Sequence, residues 1–273
     1  MLVVAAFGSA YAAGWWRLRS KGYHRLARGW QLGLYLAGLL VVCLALLSPI
    51  DRWASWAFTM HMVQHLLLTM LAPPLLLLAN PLPAILWALP TGARHRVGRL
   101  LTRRAVVRRG LWALTLLPVA WLVYVVTLWT WHLPALYQAA LRYELVHNLE
   151  HLAFFGTGLL FWWGIVNPAP RLHGRAPPGF QILYLVAATG QNILLGAVIG
   201  VTERVLYPYY TTTPRLWGHE PLYDQALGAG LMWVSSHMYL VPILVLLARM
   251  LDAEERAIRQ REAAGSLPRS GRP

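Results

Sequence analysis

The sequence predicts an all-α, polytopic membrane helix bundle of about seven transmembrane helices. Three observations carry that prediction. Of 273 residues, 58% are hydrophobic and only 12% charged, about half the charged share of a soluble domain. Six apolar segments, near 30–49, 60–79, 111–130, 147–166, 180–201 and 225–249, approach the roughly 20 residues that cross a hydrocarbon core. In lipid each must be helical, because a helix satisfies its own backbone polar groups without water. The third observation is where the charge lies. Twenty of the 24 basic residues fall after the first apolar segment, between Arg94 and Arg109, at Arg171 and Arg175, and from Arg249 onward, all on one face of such a bundle. The other face holds Arg52, Arg142, Arg204 and Arg215. By the positive-inside rule the N-terminus is outside and the C-terminus cytoplasmic.

Element by element, Met1–Trp16 has no basic residue ahead of its apolar run, and Arg17, Arg19 and Lys21 follow it. A secretory leader has the reverse order, so a first helix is expected here. The segment at 30–49 carries Cys43, the single cysteine, which excludes a disulfide framework and a C-x-x-C metal pair. In the segment at 60–79, Pro73 and Pro74 remove backbone donors and are expected to bend the helix. Thr91–Gly110 is basic with interspersed apolar residues and predicts an amphipathic helix on the inner membrane surface. The outer loop at 203–223 is rich in proline and tyrosine, and order against the outer interface is expected of it. Tryptophans gather at segment ends as an aromatic belt. Residues 1–250 therefore read as a single transmembrane domain. Residues 251–273 read as a charged cytoplasmic tail, whose end, Gly265–Pro273, is too polar and too rich in proline and glycine to fold.

A net charge of +14 invites a nucleic-acid partner, but its loop-by-loop placement reports topology and attraction to anionic lipid instead. No nucleic-acid motif accompanies it. The lipid bilayer is the partner that the charge implies.

The histidines carry the chemistry. His61 and His65 open the segment at 60–79, His132 closes the one at 111–130, and His147 and His151 open the next, all at the outer end. Both pairs are H-x-x-x-H, an i, i+4 spacing that stacks two imidazoles on one helix face. Such pairs can share a metal ion. Met60 and Met62 flank His61, and Met232, His237 and Met238 lie further along. Mixed imidazole and thioether surroundings suit copper, Cu(I) in particular. Glu150 and Asp224 are carboxylates at the same end, able to orient ligand histidines or tune their protonation. The blander alternatives stay open: histidine is tolerated at interfaces, methionine is a common gap-filler, and Glu150 can pair with Arg142. His237 is either a helix–helix hydrogen bond or an inner ligand. No hydrolase triad, phosphate-binding glycine loop or H-E-x-x-H is visible, so the chain does not read as an enzyme. A haem clamped by two histidines, a metal or proton transporter and a scaffold that needs no histidine are the competing readings.

Four motifs resemble those of the bacterial caa-type cytochrome c oxidase assembly factors. The first is His61-Met62-Val63-Gln64-His65 with Ala72-Pro73-Pro74. The second and third are Trp131-His132-Leu133-Pro134-Ala135-Leu136-Tyr137, and His147-Asn148-Leu149-Glu150-His151 with Trp162-Trp163. The fourth is Asp224-Gln225 with Gly230-Leu231-Met232-Trp233. Together they cover about residues 30–250. The resemblance implies a seven-helix protein of the bacterial cytoplasmic membrane that matures a haem–copper oxidase, with oxidase subunits as partners and copper handled on the outer side. The chain lacks the cysteines of the single-span copper chaperone that shares the family's name. Two departures stand out. Val234-Ser235-Ser236-His237-Met238 stand where Pro-Gly is expected, and Asn80 replaces an expected glycine.

Overall fold

In the computed structural model, which describes residues 2–102 and 104–265, every regular element among the described residues is helical. The end of the tail, 266–273, lies outside the described residues. The helices are α1 (Leu2–Ser20), α2 (Gly29–Leu47), α3 (Pro49–Ala54), α4 (Phe58–Leu66), α5 (Ala72–Leu78), α6 (Pro81–Ala88), α7 (Thr91–Leu100) and α8 (Val106–Leu114). They continue as α9 (Leu117–Trp131), α10 (Pro134–Arg142), α11 (Glu144–Val166), α12 (Pro178–Gly200), α13 (Pro221–Ser235) and α14 (Leu240–Gly265).

Five of these stretches are long and apolar enough to cross a membrane: Gly29–Leu47, Phe58–Leu78, Glu144–Val166, Pro178–Gly200 and Pro221–Gln260. A sixth forms if α8 and α9, bent by 72°, are taken as one span. Pro118 explains that bend, since a proline near the start of α9 cannot continue the hydrogen-bond ladder of α8. The single surface helix expected at Thr91–Gly110 is instead two short helices, α7 and α8. The first segment does fold as a helix of 19 residues. It carries Arg17 and Arg19 in its last turn and is not among the helices apolar enough to span.

Phe58–Leu78 is the central element: 61% of its apolar window is buried, against 28–39% for the other candidate spans. It packs on α2, α11 and α13. The expected proline bend takes the form of a π-helical turn, Leu67–Leu71, between α4 and α5. Pro73 has no N–H to bond the Thr69 carbonyl four residues back, and the Trp162 indole donates to that carbonyl instead, at 3.0 Å. Gly158 lets α11 come this close, because a β-carbon there would stand 3.1 Å from both Pro73 and the Thr69 carbonyl oxygen.

Both departures from the expected motifs have local explanations. Asn80 has φ of 52°, the left-handed region where glycine is cheapest and asparagine is the next most tolerant. Its side-chain oxygen accepts the Ala169 N–H at 2.7 Å, a contact glycine could not make. Where Pro-Gly was expected, Ser235 and Ser236 bond back to the Met232 carbonyl at 2.9 and 3.0 Å. The helix there tightens into a 3₁₀ turn, Ser236–Tyr239, so the regular α-helix is interrupted by different chemistry.

Candidate metal centre

α4 and α11 each present an i, i+4 histidine pair, and packing brings the two pairs together. Ring centroids lie 4.3 Å apart for His61–His65 and 4.1 Å for His147–His151. Between helices they are 5.3 Å apart for His61–His147 and 6.0 Å for His65–His151. Glu150, fully buried, projects from α11 between the pairs. Its carboxylate oxygens stand 3.4 Å from His61 Nε2 and 3.6 Å from His65 Nε2. The alternative pairing with Arg142 is therefore not the one adopted.

Hydrogen bonds fix which nitrogens carry lone pairs. Burial holds the Tyr210 phenol well above its usual range, so it stays neutral with one proton to give. It donates that proton to the Ala54 carbonyl at 3.1 Å. The Tyr210 oxygen can then only accept, from Tyr137 O–H and from His61 Nδ1, each at 3.1 Å. His61 is thus the Nδ1–H tautomer, and its Nε2 lone pair faces Glu150. His132 is fixed the same way, because its Nδ1 lies 2.7 Å from the Leu128 carbonyl, which accepts only.

A nitrogen lone pair facing a carboxylate at 3.4 Å is two acceptors without a donor, and a proton or a metal ion between them makes the contact favourable. The spacing suits one: two ligand atoms about 2.1 Å from a tetrahedral ion stand about 3.4 Å apart. Of the 11 buried side-chain polar atoms without a partner among the described residues, eight belong to His61, His65, His132, His147, Glu150 and His151. Leaving each of these unmade costs about 1–3 kcal/mol. One proton shared with Glu150 relieves a single contact, whereas an ion relieves several at once.

Three overlapping triads have ligand atoms within 4.8 Å of one another: His61, His65 and His151; His61, His147 and Glu150; and Asp51, His147 and His151. Any of them could hold a metal ion. Asp51 is the ligand candidate that sequence reasoning missed. It stands in α3, four residues past the end of α2, and the Gln64 amide orients it with a 2.7 Å bond from within the H-x-x-x-H motif. Tyr137 and Tyr210 were also missed; Tyr137 closes the second of the four motifs, and Tyr210 lies in the tyrosine-rich outer loop. The Asp51 triad opens into a groove of about 570 Å³ lined by residues of α2 and α11.

Other expected residues take different places. His132 belongs to none of the triads; its ring lies 6.2 Å from His65, toward the bundle interior. Asp224 is not in the cluster. Its carboxylate accepts the Phe58 N–H at 2.6 Å and the Thr59 N–H at 3.4 Å, capping the start of α4. Gly228 permits that approach, because a β-carbon there would meet the Phe58 ring at 2.4 Å. Asp224 thus positions His61 through the helix that carries it. His237 is exposed and bonds its own turn, with Nδ1 2.9 Å from the Val234 carbonyl, so the structure brings it to neither the cluster nor a neighbouring helix. Met60 is buried outside the triads, while Met62 and Met232 line a cavity beside His65 and His132. On the opposite side of the bundle, His173 is paired with Thr115 at 3.0 Å.

Comparison with known proteins places these residues in context. The family model of the cytochrome c oxidase caa3 assembly factor matches residues 9–253. Uncharacterized proteins of Mycobacterium bovis and Mycobacterium tuberculosis are each 28% identical over 274 residues, covering 95% of this chain and 39% of theirs. One from Mycobacterium leprae is 25% identical over 264 residues, covering 93% of this chain. The chain spans about two fifths of the length of these relatives. No solved structure matches.

Proposed function

The chain belongs to the cytochrome c oxidase caa3 assembly factor family, and on that premise we propose that it binds copper through the histidine–carboxylate cluster and supplies it to the oxidase. His61, His65, His147 and His151 are the ligands, with Glu150 neutralising charge at the centre. The cluster lies at the outer end of the spans, and the chain resides in the bacterial cytoplasmic membrane. The groove at Asp51, His147 and His151 gives the ion its way in or out. The oxidase subunit that lacks its metal is the direct partner.

One observation carries this reading: His61 Nε2, its tautomer fixed by Tyr210, faces Glu150 at 3.4 Å, and both side chains are fully buried. Buried ionisable groups at membrane depth are expensive, and a bound cation offsets that cost. The spacing also favours an ion over a haem. The His61–His65 and His147–His151 rings, 4.3 and 4.1 Å apart, stand closer than two axial imidazoles on one haem iron would.

The test is made in the host that carries the chain. Replacing it with a His61→Ala, His147→Ala variant that still reaches the membrane is expected to leave the oxidase with haem but depleted of copper. Full copper occupancy in that strain would refute delivery through this cluster.

A further inference from the structure

Immediately inside the cluster lies a cavity of about 20 Å³, room for one water-sized occupant. Its lining differs in kind from that of the cluster. Met62, Met70 and Met232 reach it from three levels of two helical stretches, and His65, His132, Asn192, Thr69 and Ser235 complete its polar side. All three methionines are buried, at 1%, 2% and 6% exposure. The π turn at Leu67–Leu71 matters here. With i→i+5 bonding it winds less per residue than an α-helix, so Met70 swings back toward the face that carries Met62 and His65.

Two imidazoles border this space with nothing to bond. Both His65 nitrogens and His132 Nε2 are buried without a partner, and the two rings lie 6.2 Å apart. That separation lets one ion bind both rings, each nitrogen standing about 2 Å from it. The other polar groups of the lining are occupied elsewhere. Thr69 donates to the His65 carbonyl and Ser235 to the Met232 carbonyl. Methionine commonly fills gaps in apolar cores. Here, however, three thioethers and two imidazoles with unpartnered nitrogens share one ion-sized space.

We propose that this chamber is a second metal position, specific for Cu(I), in which Met62, Met70 and Met232 act with His65 and His132. Thioether sulfur selects Cu(I) over harder or oxidised ions. The outer cluster, with Glu150 and Asp51, offers harder oxygen ligands. His65 borders both spaces, so an ion can pass from cluster to chamber by exchange at one shared side chain, as Cu(I) throughout and with no co-reactant. His132, which joins none of the cluster's triads, gains its role here. The inference rests on the copper reading of the cluster.

Anaerobic Cu(I) titration of the purified full chain, followed by copper-edge X-ray absorption, tests it. The expected result is two bound equivalents, with sulfur scatterers around the second and only nitrogen or oxygen around the first. Met62→Leu, Met70→Leu, Met232→Leu combined, near-conservative in volume, should lose the sulfur signal and one equivalent while keeping the other. Should that variant fail to fold, Met232→Leu alone should lower the sulfur count by one. A Met60→Leu control should leave the signal intact. A fully loaded protein without sulfur scatterers, or a triple variant that retains them, would overturn the chamber. Failure of the cluster reading looks different: His61→Ala and His147→Ala would then leave the nitrogen-ligated equivalent in place.

Discussion

The imidazole Nδ1 of His61 and the hydroxyl of Tyr210 stand 3.1 Å apart across 149 residues of sequence, and this contact decides which way the His61 lone pair faces. A loop tyrosine thereby turns the Nε2 lone pair of a histidine on a buried helix toward Glu150. Supporting bonds of this kind typically alter metal affinity 10–100-fold. Tyr210→Phe is therefore expected to lower Cu(I) affinity by about that factor, measured by competition with a chelator, with stoichiometry unchanged. Unaltered affinity would detach Tyr210 from the site.

Glu150→Gln should separate stability from binding. In the metal-free protein the carboxylate faces two imidazoles with no donor between them, and a glutamine amide can donate to one. The metal-free variant is expected to melt higher, by about 2–4 °C per kcal/mol gained. Its affinity for metal should fall, because a neutral amide replaces a charged ligand. A lower melting temperature in the metal-free state would show that the carboxylate already has a favourable partner.

Asp224 acts through the backbone of α4. Asp224→Ala should cost about 0.5–2 kcal/mol, the usual loss for a helix cap, and Asp224→Asn clearly less. Thermal unfolding in detergent reads both. Metal stoichiometry should hold in each variant, since the carboxylate bonds Phe58 and Thr59 and not the cluster.

Binding should weaken in acid, because protons and metal compete for the same lone pairs. The tyrosines do not contribute to that loss. Burial raises the phenols of Tyr137, Tyr207 and Tyr210 above their usual range, so each stays neutral from acid to mild alkali. Affinity measured from neutral pH down to the acid limit of folding is expected to decline monotonically. A flat profile would remove imidazole from the ligand set.

The two H-x-x-x-H pairs were legible because i, i+4 spacing is a local property of a helix, and arginine placement aligned their ends. The contribution of Glu150 was legible for the same reason, three residues after His147 and so on the same helix face. Asp51 and Tyr210 were not, since nothing local marks a residue that another helix or a distant loop brings in. Asp224 shows the opposite limit. Its depth was readable, but its aim was not, and Gly228 turned it toward the α4 N-terminus instead of the histidines. The proline bend was foreseen at Pro73 and Pro74. Its π form, and the indole of Trp162 that satisfies the freed carbonyl, depend on how closely α11 can approach at Gly158.

Metal-to-protein stoichiometry is the most direct test of the central claim. Purified protein, loaded anaerobically with Cu(I) and freed of excess, is compared with its His61→Ala and His147→Ala variants, each confirmed to be folded. Both variants are expected to lose the nitrogen-ligated equivalent that the unmodified chain retains. Equal copper in all three proteins would contradict a metal site built from these histidines.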